Sequence, residues 1–180
     1  MKHNLLFIFV FCGVFILCVP FFGYAAEIAQ ELDRDKDGTP DMKIFYSEDG
    51  MPQHFEVDRN QDGKKDVWGT FRKGLLYEVE VDSDNNGTPE IWVSYNPDGT
   101  TKYQSADKNG DGTPDVWAYF KDNNLVRQEL DKNYDGNVDL RCFYQQGQMV
   151  ALEQDTDLDG AFDRRVNTPD TIQQDVSIEK

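Results

Sequence analysis

Six segments of the chain carry oxygen-bearing side chains at the same offsets. They read DRDKDGTPD from Asp33, DRNQDGKKD from Asp58, DSDNNGTPE from Asp82, DKNGDGTPD from Asp107, DKNYDGNVD from Asp131 and DTDLDGAFD from Asp155. Positions 1, 3, 5 and 9 hold Asp, Asn or Glu, and position 6 is always glycine. The candidate ligands are Asp33, Asp35, Asp37 and Asp41; Asp58, Asn60, Asp62 and Asp66; Asp82, Asp84, Asn86 and Glu90. They continue with Asp107, Asn109, Asp111 and Asp115; Asp131, Asn133, Asp135 and Asp139; Asp155, Asp157, Asp159 and Asp163. Calcium takes six to eight oxygen ligands at relaxed geometry, which such a loop supplies from side chains and backbone carbonyls. Glycine at position 6 permits the sharp turn, because it reaches positive φ without a Cβ clash. Every substitution among the ligands keeps an oxygen in place. Zinc and copper are disfavoured without His or thiolate ligands, and magnesium by its demand for strict octahedral geometry.

The loops resemble the DxDxDG calcium loops of EF-hands, dockerins, thrombospondin type 3 repeats and integrin α-chain hairpins. The likeness covers nine residues per unit. An EF-hand needs a bidentate Glu at position 12, where this chain has Ile44, Gly69, Val93, Ala118, Cys142 and Val166. Dockerins need a following helix, which Val116-Trp117-Ala118-Tyr119-Phe120 does not resemble. The integrin-type loop with a strand after it fits best, and it implies calcium chemistry without implying a fold.

Asp, Asn and Gly are also good turn formers, which explains the composition of any one loop. Turn chemistry alone does not hold three or four oxygens at fixed offsets six times over. Charge argues the same way. The formal net charge is −16, and 20 of the 34 acidic residues lie in the loops. Six Ca²⁺ ions would offset twelve of those charges. Such acidity argues against nucleic acid and anionic membranes as partners. Units one and six, with four Asp each, should bind best; unit three, with Asn86 and Glu90, should be among the weakest. With ~1 mM calcium and a ~0.1 mM dissociation constant, each occupied site adds about 1.4 kcal/mol. That makes calcium a structural staple.

The loops recur at spacings of 25, 24, 25, 24 and 24 residues. After each comes a run of β-branched and aromatic residues, then a turn such as Glu48-Asp49-Gly50, Arg72-Lys73-Gly74 or Gln146-Gly147, then a second run. Each unit is loop, strand, turn, strand. The predicted fold is all-β: an antiparallel hairpin-repeat meander of about a dozen strands, built from six units of about 24 residues. An open ribbon, a barrel and a solenoid-like coil all satisfy this pattern. Alternation puts Met42, Ile44, Tyr46; Val67, Gly69, Phe71; Ile91, Val93, Tyr95; Val116, Ala118, Phe120; and Leu140, Cys142, Tyr144 on one buried face. Glu56, Glu80, Glu129 and Glu153 share an equivalent position expected to face water. Trp68, Trp92 and Trp117 lie on the face opposite the apolar one. They form either a ligand platform for sugar rings or a partner protein, or a second buried face.

Catalysis has little to work with. Outside the first 25 residues there is one His, His54, with no nucleophile near it in sequence. No phosphate loop or zinc motif is present, so no catalytic residue is assigned and the chain is expected not to be an enzyme. Cys142 is the one cysteine after residue 25, which excludes an internal disulfide in that part.

Residues 1–25 read as a secretory signal: Lys2, an apolar run from Leu5 to Val19, then Gly23-Tyr24-Ala25 before the cut. The segment is also long enough for an uncleaved anchor, and Cys18 offers a lipidation site. Each reading exports the body, to periplasm, medium or cell surface, and touches a membrane only through this segment. Residues 26–166 form one repeat domain, and 167–180 a polar tail expected to be poorly ordered. The functional expectation is an exported calcium-binding scaffold with up to six Ca²⁺ and a protein or carbohydrate partner. The alternatives are a secreted or periplasmic enzyme, for example one acting on polysaccharide, with structural calcium loops, and a metal-free β-repeat protein.

Overall fold

The computed structural model describes residues 28–167, all of it strands and their connections. The proposed signal or anchor, Cys18 and the tail beyond Asn167 lie outside these residues. Asn167 itself ends the last strand.

Twelve strands follow one another in chain order: β1 (Ile28–Leu32), β2 (Met42–Tyr46), β3 (Pro52–Val57), β4 (Val67–Arg72), β5 (Leu75–Val81), β6 (Ile91–Tyr95), β7 (Thr101–Ala106), β8 (Val116–Lys121), β9 (Asn124–Leu130), β10 (Leu140–Gln145), β11 (Gln148–Gln154) and β12 (Arg164–Asn167). Each pairs antiparallel with its sequence neighbours, and β1 and β12 are left as edges. The sheet is therefore an open ribbon and neither a closed barrel nor a stack of coils. All extensive contacts between strands run between ladder neighbours. The ribbon is a single layer.

Two kinds of connection alternate. The Asp-rich loops join odd to even strands along one margin, and the short turns line the other. Turns two, four and five are tight, with two successive residues at positive φ: Lys73-Gly74, Asp122-Asn123 and Gln146-Gly147. Their paired left-handed residues match the right-handed strand twist. Turns one and three are longer, and Gly50 and Gly99 alone take positive φ there.

Core burial follows the predicted alternation in the first half. Met42, Ile44, Phe55, Val57, Val67, Val79, Val81 and Val93 form one buried cluster, flanked by Tyr46, Phe71, Leu76 and Tyr95. A single layer can bury them because large rings lie over small neighbours. The Phe55 ring occupies the space that Gly69 leaves open, and Phe71 meets it edge-on with ring centroids 5.9 Å apart. In each hairpin a bulge near the turn shifts the register, as at Thr70/Phe71. The bulge pairs Leu76 with Phe71 and takes Tyr77 out of the core row, where it stacks under the Arg72 guanidinium at 3.4 Å. In the second half the same row carries Gln104 and Gln128 beside the small buried Ala118 and Cys142. The apolar cluster stops near Val93 for that reason.

The opposite face holds a continuous cross-strand row. In ladder order it reads Glu31, Lys43, Glu56, Trp68, Glu80, Trp92, Ser105, Trp117, Glu129, Arg141, Glu153 and Arg165. Glu129 does not face water as expected: it is 7 % exposed. Arg141 donates to its Oε1 at 2.6 Å and to Glu153 Oε2 at 3.1 Å, while Arg165 reaches Glu153 at 2.8 Å. Burial lowers the affinity of Arg141 for its proton, but these carboxylates outweigh it and raise the pKa.

Candidate metal centres

All 24 candidate ligands lie on one margin of the ribbon, two strand spacings or roughly 10 Å from loop to loop. Within each loop, positions 1 and 9 anchor the turn and positions 3 and 5 stand outward in solvent. Asp58, Asp82, Asp107, Asp131 and Asp155 at position 1 are buried, as are Asp41, Asp66, Asp115 and Asp139 at position 9.

The anchoring is by backbone donors. The position-1 carboxylate accepts the glycine N–H, at 2.7–2.9 Å in all six loops. Its other oxygen accepts the N–H of position 4 in five loops and of Asn86 in the third. Position 5 accepts from position 7, as Asp111 does from the Thr113 N–H at 2.8 Å. Position 9 folds back to accept the N–H of position 2, for example Lys108 to Asp115 and Lys132 to Asp139, each at 2.7 Å. Its main chain continues the ladder: Asp131 N–H donates to Asp115 O and Asp155 N–H to Asp139 O, both within 2.9 Å. The ninth residue thus closes its own loop and seats the next.

This sorts the ligands. In loops one and six, positions 1, 3 and 5 converge: Asp33, Asp35 and Asp37, and Asp155, Asp157 and Asp159, each offer oxygens within 4.8 Å of one another. In loop three the converging set is Asp82, Asp84 and Glu90, because the longer Glu90 reaches where an aspartate at position 9 does not. Asp41 and Asp163, expected as fourth ligands, lie outside the converging sets of their loops and bond to Arg34 N–H and Thr156 instead. Loops three and six contain no basic residue.

Loops two, four and five behave differently. Their position-3 side chain is Asn, whose Oδ1 accepts the position-5 N–H and whose Nδ2 donates to the position-5 carboxylate. The donor distances are 2.9 Å from Asn109 to Asp111, 3.0 Å from Asn133 to Asp135 and 3.4 Å from Asn60 to Asp62. Electrostatics set Asp157 of loop six apart from the acids of loops four and five. The Asp159 charge is the largest influence on Asp157 and pushes its pKa up, helped by desolvation and Asp163. Asp111 is lowered by the Thr113 hydroxyl and the Asn109 amide, and Asp135 by the Asn137 N–H and the Asn133 amide.

The sequence alone did not expose position 4. It takes a left-handed conformation in every loop: Lys36, Gln61, Asn85, Tyr134 and Leu158 have φ of 61–67°, and Gly110 has φ of 77°. Only Gly110 advertises this by its residue type.

Trp68, Trp92 and Trp117 lie beside the loops, half-buried on the polar face. His54 is stacked on Phe45, with ring centroids 4.0 Å apart. Cys142 is buried and free, and burial pushes its thiol pKa up.

No family model and no curated protein matches the chain. Among solved structures, TarM aligns at 15 % identity and a TM-score of 0.43, over 57 % of this chain and 19 % of TarM. The GtfA/B complex bound to UDP and GlcNAc aligns at 16 % identity and 0.34, over 86 % of this chain and 30 % of that one. Accessory secretory protein 1, 2 and 3 of Streptococcus pneumoniae aligns at 19 % identity and 0.32, over 76 % and 23 %. This chain thus spans less than a third of the length of each of these three. These matches correct one expectation. The chain is not excluded from enzymes by its scarcity of catalytic residues: the structures it aligns with include one bound to UDP and GlcNAc. Likeness at this level assigns no substrate or reaction.

Proposed function

We propose that this chain is an exported, calcium-binding repeat protein in which the ions staple the acidic loops and the ribbon presents a binding surface. The observation that supports calcium is the convergence of three carboxylates in loops one and six, with no Lys or Arg ion-paired to them among the described residues. In loop six an ion answers a specific repulsion, the one that raises Asp157. The outward oxygens of positions 3 and 5 are the ones a cation meets, while positions 1 and 9 hold the loop in shape beforehand. Loops two, four and five, where an amide already offsets the acids, are the weaker sites in this reading. Export is supported by the sequence of residues 1–25.

The test is a thermal melt of residues 26–180 in excess EDTA and in a few mM calcium, with magnesium as control. Two occupied sites should raise the melting temperature by about 5–10 °C with calcium alone. Asp157→Asn should remove part of that shift, because it breaks the loop-six set. Equal melting in EDTA and calcium would overturn the reading and leave the loops as hydrogen-bonded turns.

A further inference from the structure

We infer that Trp68, Trp92 and Trp117, together with Glu56 and Glu80, form a docking strip for an extended cationic polypeptide segment. The inference rests on the polar face of the ribbon and not on the loops, so loss of the calcium reading would leave it standing.

One face of one sheet shows the same row in two states. In the C-terminal half Glu129 and Glu153 each have a cation, and the Tyr119 and Phe162 rings carry guanidinium groups. Arg127 lies 3.9 Å from the Tyr119 ring centre and 3.5 Å from Glu129, and Tyr119 also donates to Glu129 at 3.0 Å. Arg141 bridges Glu129 and Glu153 and lies 4.6 Å from the Phe162 ring. In the N-terminal half the alternation of ring and acid continues, but its cations lie away from the tryptophans: Arg72 covers Tyr77 near the turn, and Lys43 lies 5.1 Å from the Phe45 ring. Glu56 pairs in the ladder with Trp68, Trp68 with Glu80, and Glu80 with Trp92. Glu56 and Glu80 have no hydrogen bond or ion pair among the described residues, and Lys43, next in the row, turns to Glu31 at 3.7 Å. The three indoles make no ring stacking, cation contact or N–H bond there. Burial, then the neighbouring Glu78 charge, raises the Glu80 pKa, as expected of an acid without a cation.

What completes this half is what the other half already has: positive groups over rings and against carboxylates. Indole is the best aromatic face for a cation. The rings stand two strands apart, roughly 10 Å, with Glu80 midway between the first pair. A chain lying across the strands can place one cationic side chain at each ring. The surplus of 34 acids over 18 bases draws such a segment in. A neutral sugar would use the rings but leave both carboxylates uncompensated.

The three tryptophans are the only ones in the sequence, so their emission reports this strip alone. The experiment is a fluorescence titration of the full chain with hexa-arginine in about 0.1 M salt, with a neutral hexasaccharide in parallel. Saturable binding of hexa-arginine is expected, weakened at least roughly fivefold by Trp92→Leu and measurably by Glu80→Gln, an isosteric change. Asp157→Asn, on the loop margin, should leave the affinity within about twofold. Three outcomes would overturn the inference. Hexa-arginine affinity unchanged in both strip variants, with native melting temperatures, puts the cations on the loops. Binding of the saccharide and not of hexa-arginine makes the strip a sugar platform. Emission that changes with protein concentration alone gives the face to a second copy.

Discussion

Phe55 lies across Gly69: a Cβ placed on that glycine would come 2.0 Å from Phe55 Cε1 and 2.2 Å from Cζ. The missing side chain is part of the core, because it lets a ring from β3 cover β4 and reach the most buried position of the ribbon, Val79, which is paired with Gly69. Gly69→Ala should therefore cost about 1–3 kcal/mol by overpacking. Urea unfolding measures it, and the double variant Phe55→Leu with Gly69→Ala should lose less than the two single losses combined. Additive losses would mean that the ring and the glycine are not coupled.

Tyr134 and Leu158 hold left-handed backbone with φ of 63° and 61°, and both side chains are about half exposed. The strain is greatest for such bulky residues and absent for glycine. Tyr134→Gly should leave stability unchanged or raise it by up to about 1 kcal/mol, against the usual loss for glycine substitution. A drop in melting temperature would show that the Tyr134 ring makes contacts that matter.

Arg141 joins two acids, one of them buried. Arg141→Met keeps the stem and removes the charge, leaving Glu129 with Arg127 and Tyr119 only. The expected loss is about 1–3 kcal/mol at neutral pH. The loss should shrink on acidification, as protonation removes the uncompensated charge. A pH-independent loss would assign the role of Arg141 to packing against Phe162.

Acid titration should separate Asp157 of loop six from the acids of loops four and five. Asp157 is raised, so its share of folded-state stability is present at low pH and lost as pH rises through its folded value. Asp111 and Asp135 are lowered, so their share is present above the ordinary aspartate range and lost as pH falls through it. Carboxyl NMR in EDTA should place the Asp157 midpoint above those of Asp111 and Asp135. Calcium should bring the Asp157 midpoint down. An Asp157 midpoint that is low in EDTA and indifferent to calcium would contradict both the geometry and the proposed ion.

Period and alternation carried much of this architecture into the sequence. Six loops at near-constant spacing required a meander, and Met42, Ile44, Val67 and Val93 announced the buried side. Closure was not legible, since a period of 24 is served equally by ribbon and barrel. The bulges were hidden too: strict alternation back from Val81 and Val79 would put Tyr77 in the core row of β5, while one extra residue near the turn hands that place to Leu76. At the loops, residue type identified the oxygens but not their directions. Asp41 and Asp163 share position 9 with Glu90, and only the longer side chain joins a converging set. The pairing of Glu129 with Arg141 lies across strands twelve residues apart, where local pattern cannot reach.

The two margins of this single layer are unlike. The loop margin carries 20 acids against seven bases, and the turn margin sets Glu48, Asp49, Asp98 and Asp122 against Arg72, Lys73 and Lys121. Repulsion therefore acts along one side of a thin strip, with no second layer to resist it. Neutralising the loop acids would relieve that repulsion on one side only and so change the curvature of the strip, and every ring and carboxylate fixed to its face would be carried closer together or farther apart by the same bend.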